Sequence, residues 1–205
     1  AVLAIDPSSH IHKGSILGDK TRMQDLSTMP EAYIRPTASG AILGGTAIHT
    51  KETITLCEAA GFDTVFIETV GVGQSEVEVG FMTDVNILLL QPGAGDDIQG
   101  IKRGIMENAD IFVINKSDGP QLPLAKQTKL LYRNAVQLLQ HQVEGWKCPI
   151  FLASSTTNTG LDEIYKSILK FKQTLTSLNL FLKNRSDQNI RWFQQKTKES
   201  IERIV

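Results

Sequence analysis

The sequence has few of the residues that mark disulfide scaffolds, nucleic-acid binders or membrane proteins. Its two cysteines, Cys57 and Cys148, lie far apart and form no C-x-x-C pair, which argues against a disulfide framework and a cysteine-ligated zinc site. The 21 basic and 22 acidic side chains leave a formal net charge of -1, so charge gives no reason to expect a nucleic acid or an anionic membrane as partner. No apolar run approaches the roughly 20 residues that a transmembrane helix needs.

What the sequence does contain is an alternation of short apolar runs with helical patterns. We predict strands over residues 2–5, 64–67, 84–90, 110–114 and 148–153, and helices over 50–60, 123–142, 160–182 and 188–205. The strand runs are apolar throughout, as expected when both faces of a parallel sheet are covered. Strands that alternate with helices predict an α/β fold with a mainly parallel central sheet flanked by helices.

The clearest polar motif follows the predicted strand 110–114 and reads Asn115-Lys116-Ser117-Asp118. In α/β folds of this kind, ligands bind at the carboxyl ends of the strands, where this motif would lie. The aspartate of an N-K-x-D motif accepts hydrogen bonds from the ring N–H and the exocyclic amine of guanine, a pair of donors that adenine does not offer. The asparagine braces the loop, and the lysine stem covers the base. The alternative is an ordinary turn, because Asn, Ser and Asp are common after strands.

An acid and two glycines follow the predicted strand 64–67. Glu68 is placed to bind Mg²⁺ directly or through a coordinated water, and Gly71 leaves a backbone N–H free to meet a γ-phosphate, while Gly73 adds mobility. This arrangement is typical of the switch loops of nucleotide hydrolases. The alternative is a strand-to-helix turn in which the glycines only permit a positive φ.

Two further carboxylates, Asp6 and Asp19, are candidate magnesium ligands. Asp6 ends the first predicted strand, and Asp19 lies in a loop that carries both charge signs. Mg²⁺ usually takes one or two protein carboxylates together with phosphate oxygens and water. Either aspartate alone is more often a helix cap or a surface residue.

Taken together, these stretches resemble the MeaB/ArgK/MMAA group of P-loop GTPases, the G-protein chaperones of adenosylcobalamin-dependent acyl-CoA mutases. The resemblance rests on AIDPSS (4–9), GSILGDKTRM (14–23), AAGFDTVFIETVGVGQSE (59–76), QPGAGDDIQGIKRGIMENADIFVINKSD (91–118) and SSTTNTGLDEI (154–164). It implies a P-loop NTPase fold of the SIMIBI type for a G domain over residues 1–182. It also implies a C-terminal helical arm over 183–205 as a possible dimerisation element, which would make the protein a homodimer. The alternative is a helix that folds back on its own domain.

The resemblance implies a role for individual residues at four kinds of site. The acidic positions around Mg²⁺ match Asp6, Asp19 and Glu68. The nucleotide-binding positions match Asn115, Lys116, Asp118, Ser154 and Gly71. The positions connected with hydrolysis match Lys102, Glu68 and Gly71. The loop called switch III, which contacts the partner mutase in this family, matches Gln91, Gly95, Asp96, Asp97, Gln99 and Lys102.

The sequence departs from the family pattern seriously at one point, besides smaller departures at Ala41, Ile42 and 49–51. The phosphate-cradling string G-x-x-x-x-G-K-[ST] is absent from the 205 residues. In the family it lies upstream of the AIDPSS strand, so we expect the sequence given to lack this N-terminal part. The sequence therefore does not determine whether this chain alone binds nucleotide.

The implied function is Mg²⁺-dependent binding and hydrolysis of GTP, with GTP/GDP and Mg²⁺ as cofactors. Hydrolysis would gate the loading or protection of adenosylcobalamin in an acyl-CoA mutase of the methylmalonyl-CoA mutase type. The expected location is the cytoplasm, or the mitochondrial matrix in a eukaryote, with neither nucleic acid nor membrane as partner. The alternatives are a partner-docking fragment that hydrolyses nothing and a GTPase metallochaperone for nickel enzymes.

Overall fold

The chain folds into two compact units that each contain a parallel sheet. The structure, a computed structural model, describes residues 1–7, 23–39, 45–69, 79–93, 103–139, 141 and 143–202. The first unit comprises Ala1–Met82 and Gln188–Val205, and the second comprises Thr83–Asp187. Each unit is described below by itself.

The first unit is built around a three-stranded sheet. Its elements are β1 (Val2–Pro7), α1 (Gln24–Ser27), β2 (Ile34–Ser39), α2 (Gly45–Ala59) and β3 (Phe66–Thr69). The strands pair in parallel in the order β2-β1-β3, so β1 is central. Leu3 of β1 packs with Ile54 and Cys57 of α2, which covers one face of the sheet with a helix.

The second unit has a second parallel sheet, in the order β4-β5-β6. Its elements are β4 (Ile87–Leu90), α3 (Arg103–Asn108), β5 (Ile111–Ile114), a 3₁₀ turn (Gly119–Gln121), α4 (Leu122–Val136), β6 (Ile150–Leu152) and α5 (Leu161–Ser177). A last helix, α6 (Leu180–Glu202), begins in this unit, and its residues from Gln188 onwards belong to the first.

The central strand β5 explains why the strand runs are apolar throughout. Its four side chains, Ile111–Ile114, are all between 0% and 3% exposed. Phe112 packs with Tyr132 of α4 on one face, and Val113 packs with Phe171 of α5 on the other. Because helices cover both faces, no position of this strand can be polar without burying an unpaired group.

The predicted α/β class with parallel sheets flanked by helices is confirmed, but three elements, β2, α1 and α3, were not predicted, and the bounds of others differ. Strand β2 was not predicted, because Pro36 interrupts its pattern; an edge strand tolerates proline, since one side of it donates no hydrogen bonds. The predicted helices 160–182 and 188–205 are also wrong in their bounds. The break falls at Leu178 and Asn179, where Asn179 has a φ of 57° that ends a right-handed helix.

Candidate functional site

The carboxyl ends of β4, β5 and β6 meet at one edge of the second sheet. Leu90 pairs with Ile114, and Ile114 pairs with Leu152. The backbone N–H of Asn115 donates to the Leu90 carbonyl at 2.9 Å, and that of Ala153 donates to the Ile114 carbonyl at 2.9 Å. The polar segments that follow the three strands therefore leave the sheet side by side.

At this edge the Asn115 side chain is hydrogen-bonded to Ser155. The Asn115 Nδ2 donates to Ser155 Oγ at 2.8 Å, while Asn115 Oδ1 accepts from the Ser155 backbone N–H at 3.2 Å. The side-chain amide thus bridges the segments after β5 and β6. Ser155 was not predicted as a site residue. The only signal for it in the sequence is that it is the second serine after a predicted strand.

The backbone between Asn115 and Asp118 is fixed by three further features. Lys116 has a φ of 56°, in the left-handed region, which turns the chain sharply. The Ser117 backbone N–H donates to the Ala153 carbonyl at 2.9 Å, and Ser117 Oγ donates to the Ile114 carbonyl at 2.7 Å. The loop is therefore held to the ends of both β5 and β6.

Asp118 is the member of the motif whose carboxylate has no hydrogen-bond partner among the described residues. Its backbone carbonyl accepts from Gln121 N–H at 3.1 Å and so begins the 3₁₀ turn. Its side chain is half-buried and makes no hydrogen bond with any described residue. A carboxylate held in this way by its backbone is ready to accept a pair of parallel donors from a ligand.

Ser154 holds the turn that follows β6. It is 1% exposed, its backbone N–H donates to the Thr159 carbonyl at 3.0 Å, and its carbonyl accepts from Thr159 N–H at 3.2 Å. Its hydroxyl accepts from Thr157 N–H at 3.2 Å. Gly160, with a φ of 80°, closes the turn. These contacts give Ser154 a structural task, and the predicted contact of its backbone with guanine stays a prediction.

The candidate magnesium ligands that the structure describes lie in the first unit, at the carboxyl ends of neighbouring strands. Ala4 pairs with Glu68 and Ile5 pairs with Thr69, so Asp6 continues β1 at the same edge of the sheet. Glu68 is exposed and has no hydrogen bond with a described residue. No group of three or more potential metal ligands occurs among the described residues. Carboxylate oxygens in small number fit Mg²⁺, which keeps several waters.

Several predicted site residues lie outside the described part of the chain: Asp19, Gly71, Gly95, Asp96, Asp97, Gln99 and Lys102. Their assigned roles stay predictions. Gln91, the first residue of the predicted partner-contacting loop, is described, and it directly follows β4. Its Oε1 lies 3.4 Å from Lys116 Nζ, so the structure brings a predicted partner-binding residue against a predicted nucleotide-binding residue.

A second polar cluster, formed by Asp110, His141 and Cys148, was not predicted from the sequence. His141 Nε2 is 3.4 Å from Asp110 Oδ1, and both side chains are largely buried. Burial lowers the pKa of His141, but hydrogen bonds to Asp110 and Cys148 raise it more, to about 10. The Val143 N–H points at His141 Nδ1 at 3.1 Å, a contact that favours a lone pair there and opposes protonation. The cluster borders a cavity of about 390 Å³.

Comparison with solved structures defines the class of protein. The structure of LAO/AO transport system kinase matches with a TM-score of 0.80 at 35% identity, over 98% of this chain and 58% of that chain. HypB from Helicobacter pylori, solved in complex with nickel, matches with a TM-score of 0.56 over 84% of this chain and 74% of that chain; at 20% identity this likeness concerns the fold alone. The chain is an α/β protein with the P-loop NTPase fold.

The family follows from the sequence comparisons. The model described as "Methylmalonyl Co-A mutase-associated GTPase MeaB" matches residues 1–205, and the chain belongs to this family, as its motifs predicted. A Caulobacter vibrioides protein is 48% identical over 202 residues, GTPase ArgK of Escherichia coli 44% over 201, and the mitochondrial methylmalonic aciduria type A homolog of Mus musculus 42% over 201. The matches cover 98% of this chain but 62%, 61% and 48% of these relatives, so the chain spans about three fifths of their length or less.

No helix within the described ranges is long and apolar enough to cross a membrane.

Proposed function

We propose that this chain carries the base-reading part of a Mg²⁺-dependent protein that binds and hydrolyses GTP. The observation that carries the proposal is the loop after β5. Asn115 is fixed by Ser155, Ser117 is tied to the ends of two strands, and the Asp118 carboxylate is left without a hydrogen bond among the described residues. This combination supports a preorganised acceptor for guanine, because the carboxylate need not break a bond before it binds the base.

The residues of the loop divide the recognition of the base between them. Asp118 accepts from the ring N–H and the exocyclic amine of guanine, and adenine lacks this pair of donors. The Lys116 stem lies over the face of the base, while Asn115 and Ser155 hold the two segments together. Preorganisation of this kind lowers the cost of ordering side chains on binding.

Asp6 and Glu68, with Asp19, are the residues that would hold Mg²⁺. The bound ion would supply positive charge to the phosphates of the nucleotide. Glu68 is suited to this part because it is an exposed carboxylate at the carboxyl end of a parallel strand. Gly71 would donate its backbone N–H to the γ-phosphate, and Lys102 would bring a cation to the site of hydrolysis.

We propose further that GTP turnover gates the loading or protection of adenosylcobalamin in an acyl-CoA mutase of the methylmalonyl-CoA mutase type. The family description names a mutase-associated GTPase, and relatives carry the names GTPase ArgK and methylmalonic aciduria type A homolog. The mutase would dock on the loop from Gln91 to Lys102. A homodimer formed through the C-terminal helix, and a location in cytoplasm or mitochondrial matrix, belong to the same proposal.

The other two candidate functions have weaker support. The likeness to HypB concerns the fold, and the residues described here contain no cluster of His, Cys, Asp and Glu that could hold nickel. A partner-docking fragment without hydrolysis is favoured only by the lack of a G-x-x-x-x-G-K-[ST] string in the 205 residues. Guanine selectivity distinguishes the docking fragment from the main proposal. A nickel-enzyme GTPase would share that selectivity and is distinguished by nickel binding.

The test is a titration with fluorescent GDP in the presence of Mg²⁺, competed separately with GTP and ATP. It is run on the 205-residue chain and on a chain extended upstream to include a phosphate-cradling loop, with phosphate release measured in parallel. We expect displacement by GTP and not by ATP, and hydrolysis in the extended chain. Absence of guanine preference in both chains would overturn the proposal and leave the docking fragment as the better account.

A further inference from the structure

The side chains of Gln91 and Lys116 meet across the edge of the second sheet, although 25 residues separate them. Gln91 Oε1 lies 3.4 Å from Lys116 Nζ, and both side chains are exposed. A lysine ammonium has three donors and no acceptor, while the glutamine oxygen is an acceptor, so the contact is chemically matched. Gln91 belongs to the predicted partner-binding loop, and Lys116 belongs to the predicted nucleotide-binding loop.

The backbone holds both residues in place from either side. Before Gln91, the buried Leu90 accepts from Asn115 N–H at 2.9 Å. After Gln91, Pro92 restricts its own φ, and Gly93 N–H donates to the hydroxyl of Thr128, which is 1% exposed, at 3.0 Å. The backbone at Gln91 is therefore anchored within the folded unit, and only its side chain is free to adjust.

Lys116 is anchored in the same manner. Three hydrogen bonds hold the segment around it. Asn115 N–H donates to the Leu90 carbonyl, Ser117 N–H donates to the Ala153 carbonyl, and the Ser117 hydroxyl donates to the Ile114 carbonyl. Its own φ of 56° fixes the direction in which the side chain leaves the loop. What remains undetermined is the path of the long lysine stem, and the contact with Gln91 selects one path.

We propose that Gln91 is a positioning residue for guanine-nucleotide binding, because it holds the Lys116 side chain in the orientation that covers the base. The inference rests on the proposed function and deepens it. A lysine loses much rotamer freedom when it is ordered, so a partner that orders it in advance strengthens binding without touching the ligand. The same contact joins the base-reading loop to the first residue of the predicted partner-contacting loop.

The experiment is a double-mutant cycle on affinity for fluorescent GDP, run in whichever of the two chains described above binds GDP. Gln91→Leu removes the acceptor at similar size, and Lys116→Met keeps an apolar stem without the ammonium. We expect Gln91→Leu to weaken binding about three- to tenfold in the wild-type background and less than about 1.5-fold in the Lys116→Met background. Gln91→Glu, which keeps an oxygen at the same reach, should restore affinity to within about twofold of wild type.

Both residues are exposed, so thermal melting should be nearly unchanged, and a loss of affinity then reports on positioning and not on unfolding. Equal effects of Gln91→Leu in the two backgrounds would overturn the inference while leaving the proposed function intact. Failure of Gln91→Glu to restore affinity would overturn it as well. If the wild-type protein shows no guanine-selective binding, the proposed function fails first and the inference fails with it.

Discussion

Within the N-K-S-D loop, Asn115 and Asp118 differ in how many partners the folded chain gives them. Asn115 is hydrogen-bonded to Ser155 through both ends of its amide, whereas the Asp118 carboxylate makes no hydrogen bond with a described residue. A polar side chain with satisfied bonds stabilises the loop, and one without them is available to a ligand. The residue types alone do not show this division, because both are common in ordinary turns.

Asp118→Asn is expected to weaken GDP binding about 10- to 100-fold, since it replaces a charged acceptor by a neutral amide that offers only one acceptor oxygen. The measurement is competition between GDP and ADP for a fluorescent nucleotide. The matched control is Asp162→Asn, an exposed carboxylate in the first turn of α5, which should leave affinity unchanged. Unaltered GDP affinity in Asp118→Asn would contradict the assignment of the loop.

His141 is predicted to make stability depend on pH. Its pKa in the folded chain, about 10, lies above the ordinary value of 6.5, so its contribution is fully present below about pH 6.5 and is lost as pH rises towards 10. We expect wild-type stability to fall over this window, and His141→Gln to remove much of the slope.

The measurement for His141 is urea unfolding at a series of pH values. His49→Gln serves as control, because it removes a histidine whose side chain is 67% exposed. A wild-type stability that is flat between pH 6.5 and 10 would show that the Val143 N–H contact, which opposes protonation of His141, outweighs Asp110.

At the scale of single elements, the turn between β6 and α5 shows how a glycine shapes the site. Gly160 has a φ of 80°, and a Cβ at this position would lie 2.3 Å from the Leu152 carbonyl oxygen. The turn also contains the paired backbone groups of Ser154 and Thr159. The position of Ser155, the partner of Asn115, therefore depends on a glycine five residues further along the chain.

Gly160→Ala is expected to destabilise the protein by about 1–3 kcal/mol and to weaken GDP binding, because both the backbone conformation and the close approach to β6 are lost. Chemical unfolding and the GDP titration measure the two effects. Gly104→Ala in α3 is the matched control: outside its own helical turn, no described atom lies within 4 Å of the added Cβ, and we expect equal or slightly higher stability. A neutral Gly160→Ala variant would contradict the described turn.

At the scale of the whole molecule, helix α6 has an apolar side that is exposed in the described structure. It carries exposed apolar side chains at Ile190, Phe193 and Ile201, whose spacing places them along one side of the helix. Lys196 is paired with Glu52 within the first unit, so the helix is also attached to its own chain. If the helix forms a dimer as predicted, the interface would therefore lie on its apolar side.

Phe193→Glu is expected to shift a dimer towards monomer, because it places a charge in an apolar contact that would be desolvated. Light scattering coupled to size-exclusion chromatography measures the mass over a range of concentrations. Lys198→Gln, an exposed substitution five residues on that also lowers the net charge by one, controls for the change of charge. A wild-type chain that stays monomeric at high concentration would refute the dimer, and an unchanged dimer in Phe193→Glu would place its interface elsewhere.

The sequence by itself determined the approximate positions of five of the six described strands. The apolar run Ile111–Ile114 can be stable only between two covering layers, and an N-K-S-D motif directly after it predicts a base-reading loop, because pattern and chemistry are both local there. The family was equally visible, since it depends on motifs read along the chain.

Only the tertiary structure decided which of these residues meet. Ser155 reaches Asn115 across 40 residues of sequence, and Gln91 reaches Lys116 across 25, because parallel strands bring their carboxyl ends together at one edge after long connections. Local periodicity carries no information about which strands are neighbours, so neither pairing was predicted. The same reason hid β2, whose Pro36 is acceptable only because tertiary structure places the strand at an edge.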